Sequence, residues 1–505
     1  MNTKTIFDYL QLANDFQPNK KKITILGAGI AGLVAAYELE KLGHQVEVME
    51  GSPRIGGRVW THSFGDEAST PYAELGAMRI PKKHEHTLHY IHEMGLGDKL
   101  RKFTTVFEEH NAFLNMDGEI VSIKDAPRML MERQQGVFQD SRYSEQTRFF
   151  AAWFKTIIDT IAPGSIREAL EQDLESHLMD CLERLDLEPF FNEDGETINL
   201  HAFIEANPAF RAACNQALDV FLDDILIETS EDLLQIEGGT EQIIHRLTSA
   251  IKGEIKCNQK VVAIRVREDG TEISWIENGE LHTKLCEYVL CTIPFSVLRK
   301  MELSGFDDRK LHSINHTVYC PATKVAFHTD RSFWQDKGIK GGASFSGAGT
   351  RQTYYPSVDF RATNNESAFL ASYTIGDDAD VLANMPDTQR HDYVKSNVSK
   401  LHPELNQSGT IKNMTSIAWG NYEWSAGGCT IHWDGNYSNY LEAAKPQNQL
   451  FFAGEHCSRF PAWLQGSIES ALEAVYEIIS HTPQPKLQPQ LTTQSSSKTL
   501  AYSVR

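Results

Sequence analysis

The sequence predicts a multidomain fold, part α/β and part α+β, and three features of its pattern carry that expectation. A glycine-rich strand–turn–helix–strand unit lies near the start, residues from about 126 to 232 show helical periodicity, and short β-rich pieces separated by Gly, Asp and Asn follow that stretch. At 505 residues the chain exceeds what one core usually supports, and a scale of roughly 150 residues per domain gives it roughly two to four domains.

The first unit is the most explicit. Residues 22–26, KITIL, form a short apolar run that meets Gly27 at once, and apolar residues at helical spacing follow from Ile30 to Leu42. Gly43 stops that helix, and residues 45–49 alternate polar with apolar up to Glu50, so a second strand lies beside the first. Gly27-Ala28-Gly29-Ile30-Ala31-Gly32 is therefore GxGxxG between a strand and a helix, with an acid 23 residues after the first glycine. Gly27 makes the turn, Gly29 lets the backbone approach a pyrophosphate at the helix N-terminus, and Gly32 permits close helix–strand packing. Gly27, Gly29, Ala31 and Gly32 are thus candidate cofactor contacts, and Glu50 is placed to accept hydrogen bonds from an adenosine ribose. The unit predicts a Rossmann-like domain; alone it does not choose between NAD and FAD, although Glu50 argues against a 2′-phosphate.

In the helical stretch, Ser165 and Glu168 read as a capping box, after which Ile166, Leu170, Leu174, Leu178, Cys181, Leu182 and Leu185 return every three or four residues. Residues 256–276 and 323–373 read as sheet. Beyond Thr482 the chain is rich in Pro, Gln, Ser and Thr and too poor in apolar residues to offset its ordering entropy, so a mobile tail is expected.

Composition narrows the partners. Apolar residues are 41% and charged residues 23%, ordinary usage for a packed protein, which excludes a disordered or fibrous chain. Lys plus Arg number 48 against 68 acids, a formal net charge of −20 that repels phosphate backbones and argues against a nucleic-acid partner. Apolar runs such as 34–37 and 468–472 fall far short of the ~20 residues that cross a bilayer, so no membrane span is expected. Residues 1–22 carry acids and glutamines where a secretory signal has its apolar stretch, which predicts a cytoplasmic protein. Eight cysteines show no CxxC spacing and read as reduced thiols, with no metal site.

Directly after the second strand stand Gly56-Gly57-Arg58, then Glu74-Leu75-Gly76-Ala77-Met78-Arg79-Ile80-Pro81, Thr323-Lys324-Val325-Ala326-Phe327, Tyr354-Tyr355-Pro356, Tyr373, and the C-terminal series from Gly427-Gly428-Cys429 through Phe451-Phe452-Ala453-Gly454-Glu455 to Ala462-Trp463-Leu464-Gln465-Gly466-Ser467. In order and spacing these resemble the flavin amine oxidases, and within them the L-amino acid oxidase group, over nearly the whole chain. The resemblance implies FAD as cofactor. Gly57 and Arg58 would lie along its pyrophosphate, where a guanidinium gives a bidentate fork. Gly76, Ala77 and Met78 would wrap the flavin, a strand backbone at Val261 would grip the adenine, and Trp419 would precede the C-terminal flavin motif. Glu455 would hold the ribityl chain, and the helix that begins after Leu464 near Ser467 would aim its positive end at the flavin N1/C2 edge. Lys324 takes the position of the lysine that holds a water near flavin N5. Arg79 and Tyr373 would hold the substrate carboxylate, while Ala462 and Trp463 form one wall of the substrate site.

Two positions depart from that pattern, Leu222 and Cys429, and an acid pair raises a question of its own. The animal-type oxidases carry a histidine where this chain has Leu222, just before Asp223-Asp224-Ile225, so either the substrate amine arrives neutral or another group takes its proton. Asp223 and Asp224 could bind the far end of a basic substrate, although a solvated or helix-capping pair is the simpler reading. Cys429 matches the cysteine that tethers FAD in monoamine oxidases, whereas the amino acid oxidases usually bind FAD without a covalent bond; non-covalent FAD is expected.

The implied fold is of the amine oxidase type. It has a discontinuous FAD domain at 20–65, 238–315 and 425–481, a mixed-sheet substrate domain at 66–125 and 316–424, a helical domain at 126–237, and a tail at 482–505. The implied reaction is oxidative deamination of an L-amino acid, with the Cα hydrogen passing to flavin N5 as hydride, to give a 2-oxo acid, ammonia and, with molecular oxygen, hydrogen peroxide. A flavin L-amino acid 2-monooxygenase producing an amide, a dehydrogenase or amine oxidase of the same fold, and a flavin-binding scaffold are the alternatives. Family resemblance also implies a homodimer.

Overall fold

The computed structural model describes residues 3–16, 19–66, 70–105, 112–116, 118–133, 136–192, 197–228, 230, 232–347, 349–357, 366–431 and 438–482. The expected tail, but for Thr482, lies outside the described residues, as does the side chain of Asp224.

Strands Glu254–Lys256, Gln45–Met49, Lys22–Leu26, Tyr288–Cys291 and Leu450–Phe452 lie side by side in that order, all parallel. Such a sheet is buried on both faces, as Tyr288–Cys291 and Leu450–Phe452 are throughout, while Gln45–Met49 and Glu254–Lys256 toward one edge keep polar residues. One face, with Ile23, Ile25, Val48, Leu290 and Phe451, packs on the glycine-rich helix Ile30–Lys41 and the C-terminal helix Leu464–Ser480. The other face, with Leu26, Met49, Val289 and Phe452, packs on a four-stranded mixed sheet that includes Val261, Ile264 and Ile273. Residues far apart in sequence thus build one Rossmann-like layer. Helix Thr3–Phe16, for which the sequence predicted only the absence of a secretory signal, buries Ile6 and Leu10 in the first of these cores.

A second sheet of seven strands has Ala322–Thr329 between Ile411–Ala418 and Ser367–Ile375, antiparallel to both. Ala343–Phe345 pairs parallel with Phe113–Met116 farther out, so the sheet is mixed. Ala322–Thr329 is buried throughout, which makes Lys324 an interior lysine with Tyr373 as its cross-strand neighbour.

Helices fill most of 126–228, led by Glu145–Ile161, whose N-cap Ser144 accepts from the Thr147 N–H. The expected capping box at Ser165 is not formed. Helix Gly164–Asp173 starts at Pro163, whose carbonyl accepts from the Ile166 and Arg167 N–H groups, so Ser165 sits inside the first turn with no capping bond. The helical pattern expected up to about residue 232 gives way to the strand Leu233–Ile236, which pairs with Ile80–Pro81 and Leu100–Lys102. Among the described residues no helix is long and apolar enough to cross a membrane, and all eight cysteines are free thiols.

Candidate functional site

A cavity of about 900 Å³ runs from the carboxyl ends of the parallel strands, past the mixed sheet, to the helical stretch. Gly27, Gly29, Ala31 and Glu50 line its first end. Gly32 lies just behind them: a Cβ there would overlap the Gly27 carbonyl oxygen, so only glycine lets the helix sit this close to the turn. The buried Glu50 carboxylate accepts from the Ala28 N–H (2.7 Å) and the Ser52 N–H (2.8 Å), bracing the turn from below. Burial pushes its pKa up, against the pull of these bonds. Each oxygen keeps a lone pair, so the ribose role expected for it is compatible with the brace. We expect Gly32→Val to yield folded sheet without flavin, read as an absorbance ratio at 450 and 280 nm below about a tenth of wild type's; a yellow Gly32→Val protein would contradict the packing argument.

Next along the cavity, Gly57 has φ +58° and Gly56 φ +117°, conformations that favour glycine, and their turn bridges Gly29. Arg54, which the sequence reading passed over, holds that turn: Nη1 donates to the Ile55 and Val59 carbonyls and to Glu241, Nη2 donates to the Gly57 carbonyl, and the guanidinium lies 4.6 Å over Trp60. Arg58 donates to Glu455 (2.7 Å) and to the Gly428 carbonyl (3.1 Å), tying the N-terminal glycine cluster to the C-terminal segment. Burial pushes the Glu455 carboxyl up, but Arg58, the neighbouring His456 and the Thr430 hydroxyl hold it at about 2. Thr430 was also missed, although its hydroxyl donates to Glu455 at 2.5 Å.

At the side of the cavity, Val261 and Val262 stand where the strand Lys260–Arg267 bulges against its partner. A bulge interrupts ladder pairing and turns backbone groups outward, which suits the expected grip on adenine. Trp424 closes this corner against Gly51, where any Cβ would overlap its ring.

Beyond Gly76 the cavity changes character. Residues 75–77 hydrogen-bond along Arg58 and Trp60, and a Cβ on Gly76 would overlap the Arg58 carbonyl. Lys324 Nζ donates to the carbonyls of Gly76 (2.6 Å) and Glu74 (3.2 Å), touches Met78 Sδ (3.4 Å) and sits 4.7 Å over the Tyr373 ring. Burial and the Arg79 charge push the Lys324 pKa down, while burial pushes the Glu74 carboxyl up. Both shifts move this pair toward its neutral form. Burial likewise raises the Tyr373 hydroxyl, keeping it a donor.

Arg79 stands among three rings, 6.0 Å from each of Phe103, Tyr373 and Trp463, with the Tyr354 hydroxyl 3.5 Å from Nη1. Trp463 precedes the C-terminal helix, whose Leu464 and Ser467 also line the cavity. Ala462, at φ +66°, is a non-glycine residue in the left-handed region, and its N–H donates to Glu455. Trp419 and Cys429 line the floor, with Trp419 Nε1 donating to the Leu75 carbonyl and Cys429 opposite Cys320 across a two-strand ladder.

The helical stretch closes the far end through Ile161, Val220, Phe221 and Leu226. Leu222, at the place of the missing histidine, is fully buried in the helical core and does not line the cavity. Asp223 does line it, but it pairs with Arg211 at 2.9 Å, which also holds Asp219. An acid already matched by an arginine offers a basic substrate little. The described site residues therefore converge on one cavity, with Gly32 packed behind its wall and Asp223 at its helical rim.

A family model for flavin containing amine oxidoreductases matches residues 30–479, so the chain belongs to the flavin containing amine oxidoreductase family. It is 46% identical over 464 residues to the flavin-dependent L-tryptophan oxidase RebO of Lentzea aerocolonigenes, covering 91% of this chain and 98% of that one. The L-amino acid oxidase bordonein-L of Crotalus durissus terrificus is 28% identical over 494 residues, 93% of this chain and 90% of its own. Among solved structures, putrescine oxidase bound to putrescine superposes with a TM-score of 0.61 at 17% identity, over 92% of this chain and 100% of that one, which shows a shared amine oxidase fold.

Proposed function

We propose that the chain is an FAD-dependent L-amino acid oxidase that deaminates substrates with a large aromatic side chain, L-tryptophan first among them. The observation that carries this is Arg79, a guanidinium held among Phe103, Tyr373 and Trp463 at the end of a glycine-lined cavity and beside Lys324. Simple amines have no carboxylate for such a group to hold. The likeness to an L-tryptophan oxidase and to an L-amino acid oxidase supports the reading.

The cavity fits FAD. Gly27, Gly32, Gly51 and Gly76 stand where a Cβ would collide with protein, and the glycine turns, Arg58 and the N-terminus of helix Ile30–Lys41 offer donors for a pyrophosphate. Gly29, Gly57 and Arg58 would hold the pyrophosphate, Glu50 and the Val261 backbone the adenosine, Glu455 the ribityl chain, and Gly76 to Met78 with Trp419 the ring. Bound there, FAD would supply the electron acceptor that side chains lack. Arg79 and Tyr373 fix the substrate carboxylate, Trp463 and Ala462 wall its Cα, and the burial of Lys324 and Tyr373 keeps bulk water out. A neutral Lys324 that donates both N–H bonds to Gly76 and Glu74 keeps its lone pair for a water proton.

The reading keeps the division into FAD, substrate and helical domains at the boundaries expected from sequence, and takes the enzyme as a cytoplasmic homodimer with non-covalent FAD. The test is anaerobic mixing of the yellow protein with each of the twenty L-amino acids, followed by air. Bleaching by aromatic L-amino acids, then peroxide and 2-oxo acid in equal amounts, is expected. Amide instead of oxo acid would make the chain a monooxygenase, and no bleaching by any of them would overturn the proposal. Precipitation with acid should leave the yellow colour in the supernatant; colour in the pellet would mean a tether at Cys429.

A further inference from the structure

Gln352 is a polar side chain of the cavity wall that neither the glycine pattern nor the carboxylate clamp uses. It begins the short strand Gln352–Tyr354, is buried, and pairs directly with Tyr373 on the neighbouring strand. Directly paired residues project their side chains to the same face, and both of these line the cavity. Gln352 therefore stands next to the tyrosine assigned to the substrate carboxylate.

Its amide has a fixed orientation. Nε2 donates to the Thr160 carbonyl at 3.2 Å, in the last turn of helix Glu145–Ile161. A carbonyl only accepts, so the NH₂ end of the amide must face Thr160 and Oε1 must face away from it. No hydrogen bond within the described residues engages Oε1, and the atom is not among the sealed, unpartnered polar atoms of the interior. Ile161, Phe221 and Ile375 line the same cavity. An uncommitted amide acceptor beside apolar wall residues suits a large, flat, mostly apolar group that carries one N–H.

We propose that Gln352 determines the side-chain preference of this site by accepting a hydrogen bond from a ring N–H of the substrate, which selects an indole over an aromatic ring without a donor. The inference rests on the L-amino acid oxidase reading above. A neutral amide serves this purpose better than an acid, because it gives a lysine or arginine side chain no counter-charge. Rejection of a near-isostere then depends on one acceptor left unpaired rather than on shape.

The test uses the holoenzyme and two substrates of nearly equal shape, L-tryptophan and 3-benzothienyl-L-alanine, in which sulfur replaces the ring N–H. Wild type should favour L-tryptophan by about tenfold in kcat/KM, the worth of one buried hydrogen bond. Gln352→Leu and Gln352→Met should each bring that ratio to within about twofold, mainly by losing activity on L-tryptophan. If Gln352 only braces helix Glu145–Ile161, both substrates suffer alike and the ratio survives substitution, which overturns the proposal. A ratio near one in wild type overturns it without any variant. Failure of every L-amino acid to bleach the wild-type flavin would remove the oxidase reading as well, whereas bleaching with an unchanged ratio removes the Gln352 role alone.

Discussion

Arg79→Leu should weaken L-amino acid binding by about 100-fold or more, measured as the substrate concentration that half-saturates anaerobic flavin reduction. The size follows from what is lost. A guanidinium meets a carboxylate with two parallel charge-assisted bonds, and truncating one side leaves the other charge unpaired in a partly desolvated cavity. Phe103, Tyr373 and Trp463 around Arg79 reduce its contact with water, which strengthens the pair. Arg79→Lys keeps the charge but not the fork and should recover only part of the loss. Tyr373→Phe removes one hydroxyl from the same carboxylate and should cost roughly tenfold or less.

Tryptamine separates a clamp from a brace. It has the indole and amine of tryptophan but no carboxylate, so wild type should oxidise it poorly and Arg79→Leu should change that poor rate by no more than about twofold. If Arg79→Leu instead lost flavin, or lost tryptamine and tryptophan turnover equally, the arginine would be a structural residue and the carboxylate assignment would fall.

The parts of this site legible in the sequence are those whose task is local. Gly27, Gly29, Gly32 and Glu50 are tied by one turn and two adjacent strands, so their spacing along the chain is also their geometry. Arg54 was illegible for the opposite reason: it supports the Gly56-Gly57 turn partly through Glu241, which lies 187 residues away. Thr430 matters only because residues near 455 fold back on it, and Gln352 only because helix Glu145–Ile161 ends against its strand. The same distinction explains the misplaced cap. Ser165 and Glu168 satisfied a local rule, but Pro163 offered its carbonyl first, and helix Gly164–Asp173 began two residues earlier than the pattern required. Lys324 shows what resemblance added: nothing in its neighbours along the chain marks it as buried, and its environment is made by Glu74, Gly76 and Met78 from another part of the sequence.

Three buried histidines set the second large expectation, a steep loss of stability in mild acid. His84, His402 and His456 are at most 2% exposed. Burial lowers their pKa values to about 4, about 3 and about 3, with Lys83 adding to the effect at His84 and Lys337 at His402. At His456 burial outweighs the opposing Glu455 charge, and neither ring nitrogen has a hydrogen-bond partner. The unfolded chain protonates all three near pH 6.5, whereas the folded chain refuses these protons until about pH 4 or lower. Between those limits these three groups favour the unfolded state, by up to about 4 kcal/mol per pH unit together, and the Glu74 and Glu473 carboxyls, raised by burial, offset part of that loss by taking up protons in the folded state. Glu455 extends the loss: its depressed pKa contributes stability above pH 4.5 that disappears as pH drops toward 2. A whole domain holds only about 5–15 kcal/mol, so the histidine loss that remains after this offset should bring on cooperative unfolding with flavin release as pH falls toward about 4.5. Thermal melts from pH 8 to 4.5, followed by tryptophan and flavin fluorescence together, would show it. His456→Phe, which replaces an unpartnered ring beside Phe295 with an apolar one, should leave the pH 8 melt nearly unchanged and move the acid midpoint lower. A melting temperature constant from pH 7.5 to 4.5 would mean that these histidines gain a proton without leaving the fold.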